Sequence, residues 1–150
     1  MKVYIGSDHG GYRTKELLRP YLLKLGYDLK DLGNFKYDSR DDYPDYAKKV
    51  ARQVGRIKNS RGILICRNGV GVSIVANKTK GVRAVLTSDV KHAKSSRLDD
   101  NTNVLCLAQD YLPVSQIKKI AKTWLAAKFS GAVRHRRRLR KVKRIEANRI

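Results

Sequence analysis

Acidic residues are scarce in this sequence: 13 Asp and Glu stand against 34 Lys and Arg, for a formal charge of +21. Long apolar runs are absent too. No stretch approaches the roughly 18 apolar residues that a membrane-spanning helix needs. The start, Met1 followed by Val3-Tyr4-Ile5 and then Gly6, lacks the extended apolar run and cleavage site of a secretory leader. There are two cysteines, Cys66 and Cys106, and no Cys-x-x-Cys spacing. A disulfide scaffold and a cysteine-based zinc module are thereby excluded, and a reducing, cytoplasmic location is expected. No internal repeat, low-complexity segment or convincing domain boundary is seen.

What remains is enough for a core. The hydrophobic fraction is 41%, and the length favours one domain, residues 1–150. The positive charge is spread along the chain and densest at its end, where residues 131–150 hold nine Lys and Arg and one Glu. A solvated helix face accounts for such a run, as does contact with an anionic ligand or RNA. No zinc-finger spacing, RNA-recognition aromatic motif or heptad supports a dedicated nucleic-acid fold.

Short apolar runs alternate with amphipathic stretches. The pattern predicts strands at Lys2–Gly6, Tyr27–Leu32, Gly62–Cys66, Val82–Leu86 and Asn103–Ala108. Helices are predicted at Gly11–Leu25, Pro44–Val54, Val70–Asn77, Val90–Leu98, Pro113–Phe129 and Val133–Ala147. Five such strands joined through helices imply an α/β fold: a Rossmann-like (flavodoxin-like) five-stranded parallel sheet with helices on both faces and a basic last helix. In such sheets ligands bind beyond the carboxyl ends of the strands.

The loops that follow strands therefore carry the candidates. After the first strand comes Gly6-Ser7-Asp8-His9-Gly10-Gly11, where Asp8 can accept from sugar hydroxyls and His9 can donate to a phosphate; a capped turn explains the same residues. After the third comes Cys66-Arg67-Asn68-Gly69-Val70-Gly71. Gly-x-Gly between a strand and a helix turns backbone N–H groups toward negative charge. Ile74 stands where a dinucleotide fingerprint has its third glycine, which weakens that reading. The turn should lower the Cys66 pKa and favour a thiolate, whereas a lone cysteine ending a buried strand is otherwise a core residue. A polar turn spans Ser96 to Asn103 and includes Asp99, Asp100 and Asn101. Arg134 and Arg138, four apart, share a helix face suited to clamping phosphate.

Taken together, these residues resemble the ribose-5-phosphate isomerase B / galactose-6-phosphate isomerase family of sugar-phosphate isomerases. The resemblance rests on Gly6–Gly11, Asp42-Tyr43-Pro44-Asp45-Tyr46-Ala47, Gly62–Cys66 with Asn68–Gly71, Ser73-Ile74, Ala76-Asn77-Lys78, Gly81-Val82-Arg83-Ala84, Asn101–Leu105 and Arg134-His135 with Arg138. It implies an aldose–ketose isomerase working through a cis-enediolate, with no metal or organic cofactor. It also implies a homodimer or homotetramer whose active sites are each completed by the neighbouring subunit.

By the same resemblance Cys66 is the base. Asn68 and the N–H groups of Gly69, Val70 and Gly71 hold the enediolate oxygens. Asp8 and Tyr43 contact the sugar, and His9, Arg134 and Arg138 bind phosphate. Asn77, Asp100 and Asn101 shape the site. Asp99 stands where the ribose-type pattern carries a histidine assigned to ring opening. Arg67 replaces the usual glycine and is placed to lower the Cys66 pKa, grip the substrate or block the pocket. Ribose 5-phosphate is the expected substrate. The alternatives are galactose 6-phosphate, allose 6-phosphate, or a non-catalytic paralogue that binds RNA or another polyanion.

Overall fold

The computed structural model describes residues 1–148, so the last two positions of the expected 1–150 domain lie outside the described residues. Five strands alternate with helices: β1 (Lys2–Ser7), α1 (Tyr12–Lys24), β2 (Asp28–Asp31), α2 (Tyr43–Arg56), β3 (Arg61–Cys66), α3 (Val70–Asn77), β4 (Ala84–Leu86), α4 (Val90–Asp100), β5 (Val104–Ala108), α5 (Val114–Ala126) and α6 (Val133–Ala147). A short 3₁₀ turn, His9–Gly11, precedes α1. All strand pairs are parallel, in the order β2-β1-β3-β5-β4. The direction of winding reverses between β1 and β3, so the ligand crevice is expected where those two strands end.

Strand alternation divides the core into two layers, because successive side chains point to opposite faces. On one face Ile5, Ile63, Ile65, Leu105 and Leu107 pack against α1, α4 and α5. On the other, Tyr4, Leu64, Cys66, Val104 and Cys106 pack against α2 and α3. Each large aliphatic side chain buried this way contributes about 1.5–3 kcal/mol. The sole tryptophan, Trp124 of α5, is fully buried. Its indole N–H donates to Thr102 Oγ1 at 3.0 Å, and the Arg97 guanidinium lies 5.8 Å from its ring. Lys15 is also buried, and its ammonium is matched by Asp31 at 2.6 Å and Glu16 at 2.7 Å.

Several expected boundaries shift. Helix α5 stops at Ala126 rather than Phe129, because Ala127 turns extended (ψ 137°) while its N–H still closes on the Thr123 carbonyl. Strand β4 starts at Ala84 rather than Val82, since Gly81 (φ +80°) and Val82 form the turn leading into it. Helix α4 runs on to Asp100, so Asp99 and Asp100 occupy its last turn instead of a loop. Asn101, at φ +49°, ends it in the left-handed conformation that asparagine tolerates better than most residues.

Helix α6 is loosely held. Of its side chains only His135 is buried, while Val133 and Ile145 are 79% and 63% exposed. Cavities of about 450 Å³ and 610 Å³ separate it from the body of the domain.

Candidate active site

Two loops meet where β1 and β3 end. In the first, Asp8 is buried and its Oδ1 accepts the Gly11 N–H at 3.1 Å, capping the turn. Burial raises its carboxyl pKa above the ordinary value, an effect His9 opposes. His9 follows on the rim. Its Nδ1 lies 2.7 Å from Asp41 Oδ1, which also accepts the His9 backbone N–H at 2.8 Å. That hydrogen bond raises the imidazole pKa above its usual value. Asp41 is fixed in turn by the Asn34 amide at 2.9 Å, and Asn34 accepts from Ser7 Oγ at 3.2 Å. Asp8, His9 and Asp41 bring ligand-type atoms within 4.8 Å of one another, and these hydrogen bonds account for the grouping.

The second loop wraps the sulfur of Cys66. The Gly69 N–H donates to Sγ at 3.1 Å, and Asn68 Oδ1 lies 3.9 Å from it. Asn68 Oδ1 also accepts the Val70 N–H at 3.0 Å. Gly69 makes this possible by adopting φ +73°, where a Cβ would collide with Leu86 and the Leu107 backbone. At Gly71 a Cβ would sit 2.6 Å from the Tyr43 ring, so glycine there lets Tyr43 close over the start of α3.

The expected lowering of the Cys66 pKa is overturned. Burial pushes the thiol above its ordinary value, and the N–H groups of Val72, Gly69 and Asn68 offset this only in part. The sulfur ends a strand on the sheet face that α2 and α3 cover, and the residue is only 4% exposed. The expectation that Gly69, Val70 and Gly71 all face the substrate is also modified. The first two N–H groups are spent on Cys66 and Asn68, while that of Gly71 has no partner among the described residues. Arg67 forms no hydrogen bond to the sulfur among the described residues and is not among the groups that shift its pKa. It arches over Gly10 and out to Asp110, 3.7 Å away, with its side chain 68% exposed.

The remaining candidates lie elsewhere. Helix α4 starts beyond the carboxyl end of β4 and returns to the amino end of β5, carrying Asp99, Asp100 and Asn101 to the opposite edge of the sheet. Arg134 and Arg138 are there too. Their helix is anchored by His135, whose Nδ1 is 2.8 Å from Ser130 Oγ and 3.6 Å from Asp99. Asp99 is 52% exposed, so this chain alone does not supply the burial that ring opening by a carboxylic acid calls for. Asn77 is structural in place: its amide brackets Ala84, donating to the carbonyl at 3.0 Å and accepting the N–H at 2.9 Å.

Asp41 was missed in the sequence. It sits in a polar loop with no motif of its own, and only the fold brings it to His9.

A family profile described as Ribose/Galactose Isomerase matches residues 3–142. The chain is 42% identical over 145 residues to a probable ribose-5-phosphate isomerase B of Mycoplasma genitalium, covering 96% of this chain and 95% of that one. It is 38% identical over 148 residues to the ribose-5-phosphate isomerase B of Escherichia coli, covering 99% and 98%. The crystal structure of the Mycoplasma genitalium ribose-5-phosphate isomerase B with bound ribulose-5-phosphate superposes with a TM-score of 0.94 at 41% identity, covering 98% and 97%.

Proposed function

The chain belongs to the ribose/galactose isomerase family, and from that premise we propose that it interconverts ribose 5-phosphate and ribulose 5-phosphate with Cys66 as the base. It is an aldose–ketose isomerase of a phosphorylated sugar, like its relatives. A non-catalytic, RNA-binding role is not favoured, because the likeness to isomerases runs through nearly the whole chain.

The reaction sets what the residues must do. In the open aldose, the bond from carbon 2 to its hydrogen breaks and the proton passes to the Cys66 thiolate. The electron pair forms the carbon 1–carbon 2 double bond, and negative charge moves to the carbonyl oxygen. The Gly71 N–H and Asn68 are the donors nearest to hold that oxygen. The hydroxyl proton of carbon 2 shifts to oxygen 1, the sulfur returns its proton to carbon 1, and the ketose forms. Asp8 and Tyr43 orient the sugar, and His9, its imidazole pKa raised by the hydrogen bond to Asp41, grips the phosphate. Arg67 stands at the entrance as a further cation.

The observation that carries this reading is the Gly69 N–H aimed at Cys66 Sγ, 3.1 Å away, at the β1/β3 switch point. Burial makes thiolate formation costly, and the amide hydrogen bonds reduce that cost where it is needed.

The other half of the site, Asp99, Asp100, Asn101, Arg134 and Arg138, reaches the sulfur only from a second copy. Both the opposite placement of the two halves and the exposed apolar residues of α6 support a shared site in a homodimer or larger assembly. The cytoplasm is the compartment that suits this substrate and two free thiols. Incubation with ribose 5-phosphate in deuterated water tests the reading: deuterium should enter the isomerised sugar, and none should enter with Cys66→Ala. Absence of exchange with the native chain would reject the substrate.

A further inference from the structure

A cavity of about 290 Å³ opens at the amino edge of the sheet, between the end of α2 and the start of β4. Lys58, Asn59, Arg61, Arg83, Asn101 and Asn103 line it; no carboxylate does, and neither do Arg134 and Arg138. Three guanidinium groups crowd this end of the molecule. Arg97 is buried and committed, donating to Asn101 Oδ1 at 2.8 Å and to the Thr102 carbonyl. Arg83 donates through Nε to the carbonyls of Asp100 and Asn101 at 3.1 Å, and through Nη2 to that of Asn101 at 2.8 Å.

Arg61 is different. Its Nη1 reaches the carbonyl of its neighbour Ser60 at 2.8 Å, while its Nε is shut off from solvent with no hydrogen-bond partner among the described residues. A buried, charged donor left unpaired is costly. Burial, and then the neighbouring arginines, lower the pKa of Arg61 and of Arg97, the latter to about 10. Arg83 is lowered by burial as well, but Glu146 and Asp100 act in its favour. Glu146, the acid closest in action, is engaged by the Gly81 N–H at 2.6 Å.

The geometry points to a second anion site here, distinct from the isomerisation site, that takes a phosphate group from free phosphate or a small phosphomonoester. Arg61 enters from β3, Arg83 from the turn before β4, and Lys58 from the loop after α2. Donors converging from several directions suit a tetrahedral dianion better than a planar carboxylate, which one guanidinium fork satisfies. At about 290 Å³ the space matches a phosphate with a short remainder. Bound phosphate would neutralise the cluster from the open side of the cavity, facing the cations that line it and leaving the enclosed Nε untouched. Asn101 shares the wall, so the site adjoins a residue assigned above to the half of the isomerisation site that a second copy brings.

Calorimetric titration at fixed ionic strength tests this on the intact protein, with inorganic phosphate in one arm and glycerol phosphate in the other. The background carries His9→Gln, Arg134→Gln and Arg138→Gln, which remove the side chains assigned above to the phosphate of the isomerised sugar. Binding should persist there and weaken about tenfold or more with Arg61→Gln added, the loss of a charge-assisted contact. Lys58→Gln, on an exposed side chain, should weaken it less and serves if Arg61→Gln fails to fold. The stronger arm names the ligand source. In the otherwise native chain, Arg61→Gln should leave phosphate-free turnover unchanged. Loss of all binding in the clamp-less background, or residual binding indifferent to both Arg61→Gln and Lys58→Gln, would overturn the site. Neither result bears on the isomerase reading, which the deuterium exchange decides separately.

Discussion

Around Cys66 the polar groups are tied mostly to one another within the chain; around Arg134 and Arg138 the cationic side chains reach into solvent. At the carboxyl edge, Asp8 caps its own turn, Asp41 holds His9 twice, and the Gly69 amide is fixed on the sulfur. At the amino edge, the cationic side chains of α6 are exposed, and the helix depends on His135 and Glu146 for its ties to the domain. Proton transfer to carbon tolerates little positional error, so the groups that perform it are pre-set by one chain. Phosphate binding is a longer-range matter of charge, and under the proposed shared site its cations can wait for a second copy to give them a fixed address.

The largest expected effect lies in the rigid half. Cys66→Ala should lower kcat by at least about a hundredfold, the low end for general acid–base catalysis, with the circular dichroism spectrum unchanged. Unaltered turnover would assign the base elsewhere. In the loose half, Arg138→Ala should act mainly on KM, raising it about tenfold, as expected for one lost charge-assisted contact. Mixing the two inactive or weakened variants sharpens the comparison. If each site draws on both chains, random reassortment brings activity assayed well below KM to roughly a quarter of native, because hybrid dimers regain one intact site. No recovery after subunit exchange would show that the halves do not meet.

A smaller effect is expected from Asp41→Asn. The His9 pKa, raised first by its hydrogen bond to Asp41, should fall toward 6.5, as read by nitrogen NMR of the imidazole. Under the proposed function, the protonated ring is the form that grips phosphate. KM of the native enzyme should therefore climb as pH rises through the raised value, and in the variant the climb should begin at lower pH. Over the same range kcat should increase with pH, since burial pushes the Cys66 thiol above its ordinary value and the thiolate is the active form. Asp41→Asn with an unmoved imidazole titration would remove Asp41 from its positioning role. The smallest change belongs to Asp110→Asn. Its partner Arg67 is exposed, and such surface pairs contribute at most about 1 kcal/mol. Melting temperature should scarcely move, and KM should change less than twofold.

Much of this organisation is legible in the residues. The runs Lys2–Gly6, Gly62–Cys66 and Asn103–Ala108 read as buried strands because both faces of a covered parallel sheet are apolar, and strands lie there to within a residue. The Cys66–Gly71 turn is legible because glycine marks places where backbone must stand close to something else. Helix ends were less so, since the stop at Ala126 depends on tertiary contacts rather than on a breaker residue. The thiol's raised pKa is not legible, because a local turn suggests stabilising amides, while the opposing desolvation comes from packing under α2 and α3 that only the fold creates. Asp41 and Arg61 carry no signature at all. A carboxylate in a polar loop and an arginine before a strand acquire meaning only from what the fold sets beside them.

The single indole gives this molecule a built-in optical gauge. Trp124 is wholly enclosed and tied to Thr102, one residue beyond Asn101. Its emission should be blue-shifted in the native protein and move to the red as water reaches the ring. Loosening of the connector that carries Asn101 should therefore be visible as a spectral change before the rest of the domain melts, without any attached label.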